Sequence, residues 1–286
     1  MSTATTEAAA RTVDAGGIQT NYHDYGTGGT GGTGGTGDPV LMLHGSGPGV
    51  SAWANWRLNM AALAEQGHRV LAPDLVGFGY TERPHDVYYS LDTWRDHVWA
   101  FLDAMDLPRV AIVGNSLGGR IALAMAGQHP ERVAKMVLMG APGVGMTITE
   151  GLRALRAYQP SEENMRTMLL DCFAVDPSII TDDLVKTRYE ASVAPGAFEA
   201  YTAMFSDQHA GSQLGITEEQ AGAIDTRTLL LHGRQDKVVP VEVAWNMVRL
   251  LGNADLAVFA RCGHWTQIER AGDFNEVVGQ FLRSAS

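Results

Sequence analysis

The sequence lacks the features of membrane-spanning, disulfide-rich and nucleic-acid-binding proteins. It has two cysteines, Cys172 and Cys262, which cannot build a disulfide framework and belong to no cluster with zinc-ligand spacing. No apolar run approaches the roughly 18 residues of a membrane-spanning helix. Lysine and arginine total 21 against 32 aspartate and glutamate residues, a formal net charge of -11 that argues against a nucleic-acid partner. We therefore expect no membrane and no nucleic-acid partner, and we interpret both cysteines as ordinary thiols.

The start of the chain and its length bear on location and size. The first residues, MSTATTEAAARTVDAGG, contain no apolar run of the kind found in a secretory signal. We therefore expect a cytoplasmic protein. The 286 residues suffice for one large α/β domain, or for a core with a modest insertion.

Strand-like apolar runs alternate along the chain with segments of helical periodicity. Ser90 is placed to cap one of the helices, SLDTWRDHVWAFLDAMDL. The strand-like runs are PVLMLHG, RVLAPDLVG, RVAIVGNS, KMVLMG, TRTLLLHG and LAVFARCGH. Because strands that alternate with helices form parallel sheets covered on both faces, the sequence predicts a mostly parallel, doubly wound α/β sheet.

The alternation stops between residues 145 and 215, where four successive segments have helical periodicity and prolines mark the breaks. We predict that these helices form a lid over the carboxyl ends of the strands, where open α/β sheets bind their ligands. The predicted division is 12–144 for the first part of the core, 145–215 for the helical lid and 216–286 for the second part of the core.

A low-complexity stretch, GTGGTGGTGGTGD, follows the first strand-like arm of the chain. Glycine and threonine repeats offer no side chains for a packed core. We interpret residues 26–37 as the expanded tip of a hairpin that has no part in function.

The segment LMLHGSGPG runs from a short strand into a loop that contains Gly45, Gly47 and Gly49. One interpretation is a dinucleotide phosphate loop, but Val50 stands where its third glycine belongs. The other is a loop whose backbone N–H groups bind a developing oxyanion in a serine hydrolase. The loop alone leaves both interpretations open.

The strongest catalytic motif is the Gly-Asn-Ser-Leu-Gly sequence around Ser116, which lies between a strand-like run and a helix-like segment. This is the context of a nucleophile elbow, where flanking glycines permit the sharp turn that exposes the serine. In hydrolases of this type an acid and then a histidine follow the nucleophile. Asp236 and His264 come just after two later strands and meet that order. The competing histidines are His232 and His44.

With a serine nucleophile, the glycine-rich loop is best explained as one side of an oxyanion hole. Leu117, the residue after the nucleophile, supplies one N–H donor, and an earlier loop supplies the other. We predict that Ser46 provides this second N–H. Asp74, which follows another strand, is interpreted as a residue that organises a turn.

Four segments together resemble the meta-cleavage product hydrolases, α/β-hydrolases that cut carbon–carbon bonds in the degradation of aromatic compounds. They are HGSGPGVSAWANW, GNSLGG, GRQDKVVP and CGHWTQIE, and the resemblance extends from about residue 17 to the C terminus. It implies the α/β-hydrolase fold with an inserted helical lid, a homo-oligomer and a small-molecule dienoate substrate. The sequence contains no metal or nucleotide motif, so we expect no metal and no cofactor.

The resemblance also implies which residues hold the substrate, a 2-hydroxy-6-oxohexa-2,4-dienoate. Asn115, Arg188 and Trp265 match positions that the family uses for this purpose. The carboxylate of such a substrate suits a two-pronged contact from Arg188, while Asn55 and Asn115 can bind the carboxylate and the 2-oxygen.

The far end of the substrate requires an apolar pocket, which we expect the lid, Val238 and Val239 to form. The sequence leaves open which C6 substituent, from hydrogen to phenyl, is preferred. Arg156, on a lid helix, leaves open a second acidic group on the substrate.

The resemblance implies a reaction in two stages. The dienol first becomes a ketone by protonation at C5, with His264 as the proton carrier. Ser116, activated by His264 and Asp236, then attacks C6, and fission of the C5–C6 bond expels a delocalised dienolate. Direct attack by water, with Ser116 as a hydrogen-bonding partner, uses the same residues and stays an alternative.

Two other functions remain open from the sequence. A carboxylesterase or lactonase would use the same three residues but gives no reason for Arg188 and Trp265 together. A ligand-binding module on a former hydrolase fold would usually have lost one of the three, and none is missing.

Overall fold

The computed structural model of the chain describes residues 10–26, 37–205 and 215–284. Within these ranges, eight strands form one sheet in the order β1-β2-β4-β3-β5-β6-β7-β8. The strands are Arg11–Asp14 (β1), Gln19–Tyr25 (β2), Val40–Leu43 (β3), Val70–Pro73 (β4), Val110–Asn115 (β5), Val133–Met139 (β6), Thr228–Gly233 (β7) and Ala254–Phe259 (β8). β2 is antiparallel to both of its neighbours, β1 and β4, and β3 to β8 pair in parallel. The predicted mostly parallel sheet is therefore confirmed.

Helices cover both faces of this sheet. They are Ala52–Trp56 (α1), Met60–Glu65 (α2), Leu91–Ala104 (α3), Leu117–Gln128 (α4), Glu150–Arg156 (α5), Glu162–Met168 (α6), Asp182–Ser192 (α7), Ala197–Met204 (α8), Glu218–Gly222 (α9), Val241–Leu250 (α10), Thr266–Glu269 (α11) and Ala271–Arg283 (α12). As predicted, Ser90 caps α3, with its hydroxyl accepting a hydrogen bond from the N–H of Thr93.

Alternate residues of the central strands belong to two separate hydrophobic clusters. Leu41 and Leu43 of β3 pack with apolar residues of α3, α4, α10 and the inserted helices. Val40 and Met42 of the same strand pack with residues of α1, α2 and α12. Because successive side chains of a strand point to opposite faces, this division confirms a sheet that is wound on both sides.

The predicted run of four helices is confirmed as α5 to α8, between β6 and β7. Three of the four are capped by the hydroxyl group of Thr149, Ser161 or Thr181. We refer to α5–α8 as the lid helices. The division at 144/145 and 215/216 stays a proposal, and residues 206–214 near the second boundary lie outside the described part of the chain.

The predicted hairpin around residues 26–37 is wrong. Tyr25 at the end of β2 and Val40 at the start of β3 both pair with Val70 of β4. Since β4 lies between them, β2 and β3 are not hydrogen-bonded neighbours, and residues 26–39 connect strands two positions apart. Residues 27–36 themselves lie outside the described residues.

None of the described helices has the length and apolar character needed to cross a lipid bilayer.

Candidate active site

Ser116 sits on a sharp turn between β5 and α4, at the carboxyl edge of the sheet. Its backbone angles, φ 51° and ψ -112°, are strained for a residue with a side chain. Its N–H donates to the carbonyl of Met139 at the end of β6, 2.9 Å away. The predicted elbow geometry is therefore present, with the serine at the start of a helix.

The glycines of the elbow are required by close backbone packing. A Cβ on Gly114 would lie 2.6 Å from the carbonyl carbon of Gly118. A Cβ on Gly118 would overlap the carbonyl oxygen of Leu43 in β3. The turn can therefore approach both its own helix and the neighbouring strand only because these positions have no side chain.

Asp236 and His264 form a buried pair on the loops after β7 and β8. Asp236 Oδ2 lies 2.7 Å from Nδ1 of His264, and Oδ1 accepts the N–H groups of Val238 and Val239 at 2.8 and 2.9 Å. Burial alone would raise the pKa of Asp236, but His264 and His232 together hold this pKa well below its usual range. The acid is thus an anion that can orient the imidazole ring of His264.

Gly140, just after β6, lies beside both the elbow of Ser116 and the Asp–His pair. It follows Met139, which accepts the N–H of Ser116. A Cβ at Gly140 would lie 2.9 Å from both Cε1 and Nδ1 of His264, and 3.2 Å from Oδ2 of Asp236. The structure thus gathers Ser116, Asp236 and His264, which we call the candidate triad, around the end of β6. Their catalytic roles stay a proposal.

His232, the main competing histidine, lies behind the acid. Its Nε2 is 2.8 Å from the carbonyl oxygen of Val239 and 3.3 Å from Oδ2 of Asp236. Burial lowers the pKa of His232, but the bond and charge of Asp236 outweigh burial, so the net pKa is raised. This histidine contacts the acid and supports its position.

The glycine-rich loop contacts the elbow as an oxyanion loop would. A Cβ on Gly45 would lie 2.8 Å from Oδ1 of Asn115 and 3.2 Å from Cβ of Ser116. Within the described ranges, neither the N–H of Ser46 nor that of Leu117 donates to a backbone carbonyl outside regular structure. Both groups are thus available, and their predicted part in an oxyanion hole stays a proposal.

His44 holds the glycine-rich loop in place. Its Nε2 accepts the N–H of Leu75 at 3.0 Å, and its Nδ1 lies 2.7 Å from the carbonyl oxygen of Gly45. These partners require a neutral ring with the proton on Nδ1. Burial also lowers the pKa of His44. Both ring nitrogens of His44 therefore have structural hydrogen-bond partners, and neither is free to act as the catalytic base.

Arg188 of α7 is almost fully buried, with 4% of its surface exposed. Its Nε donates to the carbonyl of Pro48 at 3.2 Å, and its guanidinium lies 5.6 Å from the ring centre of Trp265. Burial lowers its pKa to about 10, with a further contribution from the charge of Arg57, so the group stays cationic at neutral pH. Among the described residues no carboxylate pairs with it.

Phe173, the last residue of a short π-helix (Leu169–Phe173) that continues α6, is a site residue that the sequence did not indicate. Its ring stacks on Trp265, with centres 4.5 Å apart and planes at 20°, and lies 5.7 Å from the ring of His264. Its carbonyl also accepts the N–H of His264 at 2.8 Å. The segment containing it has only the helical periodicity of a lid helix, which gives no signal of this contact.

The two predicted asparagines and two valines are all buried. Asn55 is on α1, and its side-chain Nδ2 has no hydrogen-bond partner among the described residues. Asn115 immediately precedes the elbow serine, and its Nδ2 lies 3.4 Å from the carbonyl of Met139. Val238 and Val239 are each 1% exposed, beside the acid that they contact. Of these four side chains, Asn55 is the one with a buried hydrogen-bond donor that has no acceptor among the described residues.

Asp74 and the cysteines have the structural characters expected from the sequence. The Asp74 carboxylate accepts hydrogen bonds from Asn21, Ala52 and Tyr80, joining three segments of the chain. Burial raises the pKa of Cys172 to about 11 and that of Cys262 to about 12, so both remain thiols. No three His, Cys, Asp or Glu residues in the described ranges are grouped as a metal site would need.

Comparison with known proteins identifies the family of this fold and site. The family model for the α/β-hydrolase fold matches residues 38–271. The 2-hydroxymuconate semialdehyde hydrolase of a Pseudomonas species (strain CF600) is 47% identical over 96% of this chain and 94% of its own length. The 2-hydroxy-6-oxo-2,4-heptadienoate hydrolase of Pseudomonas putida is 46% identical over 95% of each chain.

A solved structure agrees with these sequence relatives. The meta-cleavage product hydrolase from Pseudomonas fluorescens IP01, crystallised with acetates, is 46% identical and superimposes with a TM-score of 0.89. The alignment covers 96% of this chain and 98% of that one. The motifs, the sheet and these relatives therefore lead to one conclusion: the chain belongs to the α/β-hydrolase family and, within it, to the meta-cleavage product hydrolases.

Proposed function

We propose that this enzyme hydrolyses the C5–C6 carbon–carbon bond of 2-hydroxy-6-oxohexa-2,4-dienoates, the ring-fission products of aromatic compounds. The products are 2-hydroxypenta-2,4-dienoate and a carboxylic acid. The observation that carries the proposal is the buried guanidinium of Arg188, which faces Trp265 and has no carboxylate partner in the described part of the chain. A buried cation without a counter-ion is costly, so this position is suited to an anionic substrate.

Two buried asparagines have side chains that suit the same end of the substrate. A dienoate presents a carboxylate next to an enol oxygen, and a guanidinium can bind such a carboxylate through two parallel hydrogen bonds. Asn55 offers an unused N–H pair, and Asn115, the residue before Ser116, packs against Gly45 of the glycine-rich loop. These three side chains would hold the carboxylate and the 2-oxygen, and Trp265 would cover the conjugated chain.

The chemistry then takes place at the candidate triad. His264 takes the proton from the enol oxygen and delivers a proton to C5, which gives a ketone and leaves the imidazole neutral. Ser116, deprotonated by His264 under the influence of Asp236, attacks C6, and the C5–C6 electron pair moves into the conjugated system as a dienolate. Water would release the carboxylic acid from the serine. The N–H groups of Ser46 and Leu117 would stabilise the oxyanion. Direct water attack uses the same groups.

The relatives suggest the size of the C6 substituent. The names of the two sequence relatives at 46–47% identity specify an aldehyde and a methyl ketone, that is, hydrogen or methyl at C6. A 6-phenyl hydrolase from Comamonas testosteroni is more distant, at 35% identity. We propose that the apolar pocket lined by Val238, Val239 and the lid helices prefers hydrogen or methyl over phenyl.

A series of kcat/KM values tests the proposal. We expect substrates with hydrogen or methyl at C6 to be turned over most efficiently, phenyl less so, and a simple aryl ester far less than any dienoate. Ser116→Ala should reduce kcat by several orders of magnitude while substrate binding persists. If the ester were the better substrate, the carboxylesterase or lactonase function would replace this one.

Substitutions of Arg188 test the binding of the carboxylate. Arg188→Lys keeps the charge but loses the two-pronged geometry, and Arg188→Gln loses both. We expect both to raise KM for the dienoate, the glutamine variant more, with ester hydrolysis affected little. Equal effects on dienoate and ester would instead indicate a purely structural arginine.

Location and assembly belong to the same proposal. We propose that the enzyme acts in the cytoplasm, and that it is a homo-oligomer, as the resemblance to its family implies. Light scattering of the purified protein measures the assembly directly, and fractionation of the producing cell measures the location.

A further inference from the structure

A large cavity lies apart from the candidate triad. Its volume is about 900 Å³, and its walls are strand β2, the segment 47–57 that contains α1, the loop at 77–83, and helices α7 and α8. None of the three triad residues is part of its lining. We call it the outer cavity. Its volume is in the range of small-molecule binding sites.

The outer cavity reaches from the surface to the site. Tyr80, which lines it, is 79% exposed, so one end opens to solvent. Arg188 also lines it, and the guanidinium of that residue contacts Trp265 next to His264. The side chain that would bind the substrate's carboxylate is therefore shared by the outer cavity and the candidate active site.

Three arginines line this cavity, and none is neutralised within the described ranges. Arg57 donates from Nη1 to the carbonyl of Ala54, and Arg83 from Nη2 to that of Gly79. Like Arg188, neither pairs with a carboxylate in the described part of the chain.

These guanidinium groups still have free donors. The Nε of Arg83 is buried and has no partner among the described residues. A guanidinium has five N–H donors, so most of those on Arg57 and Arg83 are available. Arg57 also acts on Arg188, because its charge contributes to the lowered pKa of that group. An anion between these cations would relieve both the repulsion and the cost of burial.

The remaining walls suit the rest of a conjugated carboxylate. Val50, Trp53, Phe78, Phe198 and Tyr201 contribute apolar and aromatic surface. Two carboxylates, Asp183 and Glu190, also line the outer cavity but are exposed. The arrangement is cationic on its partly buried side and anionic at its rim.

We propose that the outer cavity is a capture site for the substrate's carboxylate, where Arg57 and Arg83 bind the incoming anion before it passes to Arg188. The identity of the carboxylate rests on the proposed function. The released carboxylic acid has the same chemistry, and the test separates the two. Capture by fixed cations raises the rate of productive association without changing the chemical step.

The test compares variants on two substrates. Arg57→Gln combined with Arg83→Gln should lower kcat/KM for the dienoate by about tenfold, with kcat within about twofold, and weaken its dependence on salt. Turnover of an uncharged aryl ester at the same serine should not change. Asp183→Asn combined with Glu190→Gln should instead raise kcat/KM for the dienoate. A purely structural role of the cavity residues would not produce such an increase. Arg57→Lys with Arg83→Lys should retain most of the parent value.

The same kinetic measurements on a control variant show which results would contradict the proposal. Arg95→Gln, on α3 and paired with Asp92 and Asp96, should leave kcat/KM unchanged. An unchanged kcat/KM in the Arg57 and Arg83 double variant overturns the proposal. If inhibition by the product acid weakens at the same time, the cavity serves the released acid instead. An equal loss on dienoate and ester also overturns it, since that indicates a damaged fold.

A binding experiment is independent of the reaction. Calorimetric titration with benzoate, a simple aromatic carboxylate, should give a Kd at least about fivefold weaker in the Arg57 and Arg83 double variant than in the parent. If the parent did not turn over any dienoate, the proposed function would fail. The capture site would then be judged by this Kd alone, and an unchanged value would overturn it.

Discussion

His232 Nε2 lies 3.3 Å from Oδ2 of Asp236, the same carboxylate oxygen that contacts His264. The single proton on this nitrogen points between two acceptors, because the carbonyl of Val239 is 2.8 Å away. Together with the two backbone N–H groups on Oδ1, this surrounds the carboxylate with donors. The acid is therefore fixed in position and can impose one orientation on the ring of His264.

This relationship predicts unequal effects for the two histidines. His264→Ala removes the proposed base and should lower kcat by a factor on the order of a thousand or more. His232→Gln keeps a donor near Asp236 and should lower kcat by no more than about tenfold. Steady-state kinetics of both variants on the same dienoate measure the contrast. A larger loss of kcat in the His232 variant than in the His264 variant would show that His264 is not the base.

Gly140 provides a second test of how the candidate triad is assembled. Its φ of 51° disfavours a side chain, and a Cβ would lie 2.9 Å from the ring of His264. Gly140→Ala should therefore displace the histidine and lower kcat at least about tenfold, with a smaller change in KM. Gly127→Ala is the matched control, because its Cβ would meet nothing within 4 Å on helix α4. That control should keep full activity and gain up to about 1 kcal/mol in the free energy of unfolding.

The features of the fold and site that could be predicted from the sequence are those that depend on short continuous segments of the chain. The elbow around Ser116 depends on glycines next to it in the chain, and the order of acid and histidine follows from strands that precede each of them. The lid helices were also predictable, because their periodicity is local. Chain order alone therefore indicated the architecture and the candidate triad.

The parts that could not be predicted depend on contacts between distant segments. The hairpin prediction failed because strand order in the sheet is not chain order, and β4 enters between β2 and β3. Phe173 reaches Trp265 and His264 only through the packing of the lid helices. The outer cavity forms only where several segments far apart in the chain come together. No spacing of residue types along the chain encodes such juxtapositions.

His97 of α3 is held in a neutral form by its two partners. The N–H of Val76 points at Nδ1, 3.3 Å away, so the ring proton is on Nε2, which lies 2.8 Å from Thr20 Oγ1. That hydroxyl is an acceptor here, because its own proton goes to the carbonyl of Ile18. Protonation would place a second proton against the N–H of Val76. Burial is the main reason that the pKa of His97 is lowered to about 4.

This lowered pKa predicts a loss of stability in mild acid. In the unfolded chain His97 takes up a proton as the pH falls below about 6.5, whereas in the folded protein it does so only near pH 4. The free energy of unfolding should therefore fall across this window, by up to about 3 kcal/mol from this residue. Urea titrations at several pH values should show a flatter dependence for His97→Gln. His85→Gln, at an exposed position, should follow the parent, and parallel curves for all three would contradict the assignment.

The connection between β2 and β3 sets how far residues 26–39 can be shortened. Tyr25 and Val40 flank Val70 on either side, so their Cα atoms are about 10 Å apart, two strand spacings. Deletion of residues 27–36 leaves Gly26, Gly37, Asp38 and Pro39, whose five Cα steps reach up to about 17 Å.

The shortened chain should keep the parent kcat. A shorter loop between fixed strands has a smaller entropic cost of closure. The free energy of unfolding should therefore be equal to that of the parent or higher by about 1 kcal/mol. Deletion of residues 26–37 is the contrasting variant, because Asp38 and Pro39 allow only three steps, about 11 Å when fully extended. Because this connection would have to run almost straight past the end of β4, the second variant should be clearly less stable than the parent. Thermal unfolding and dienoate turnover measure both effects, and a fall in kcat in the shorter deletion would give the Gly-Thr repeat a part in function.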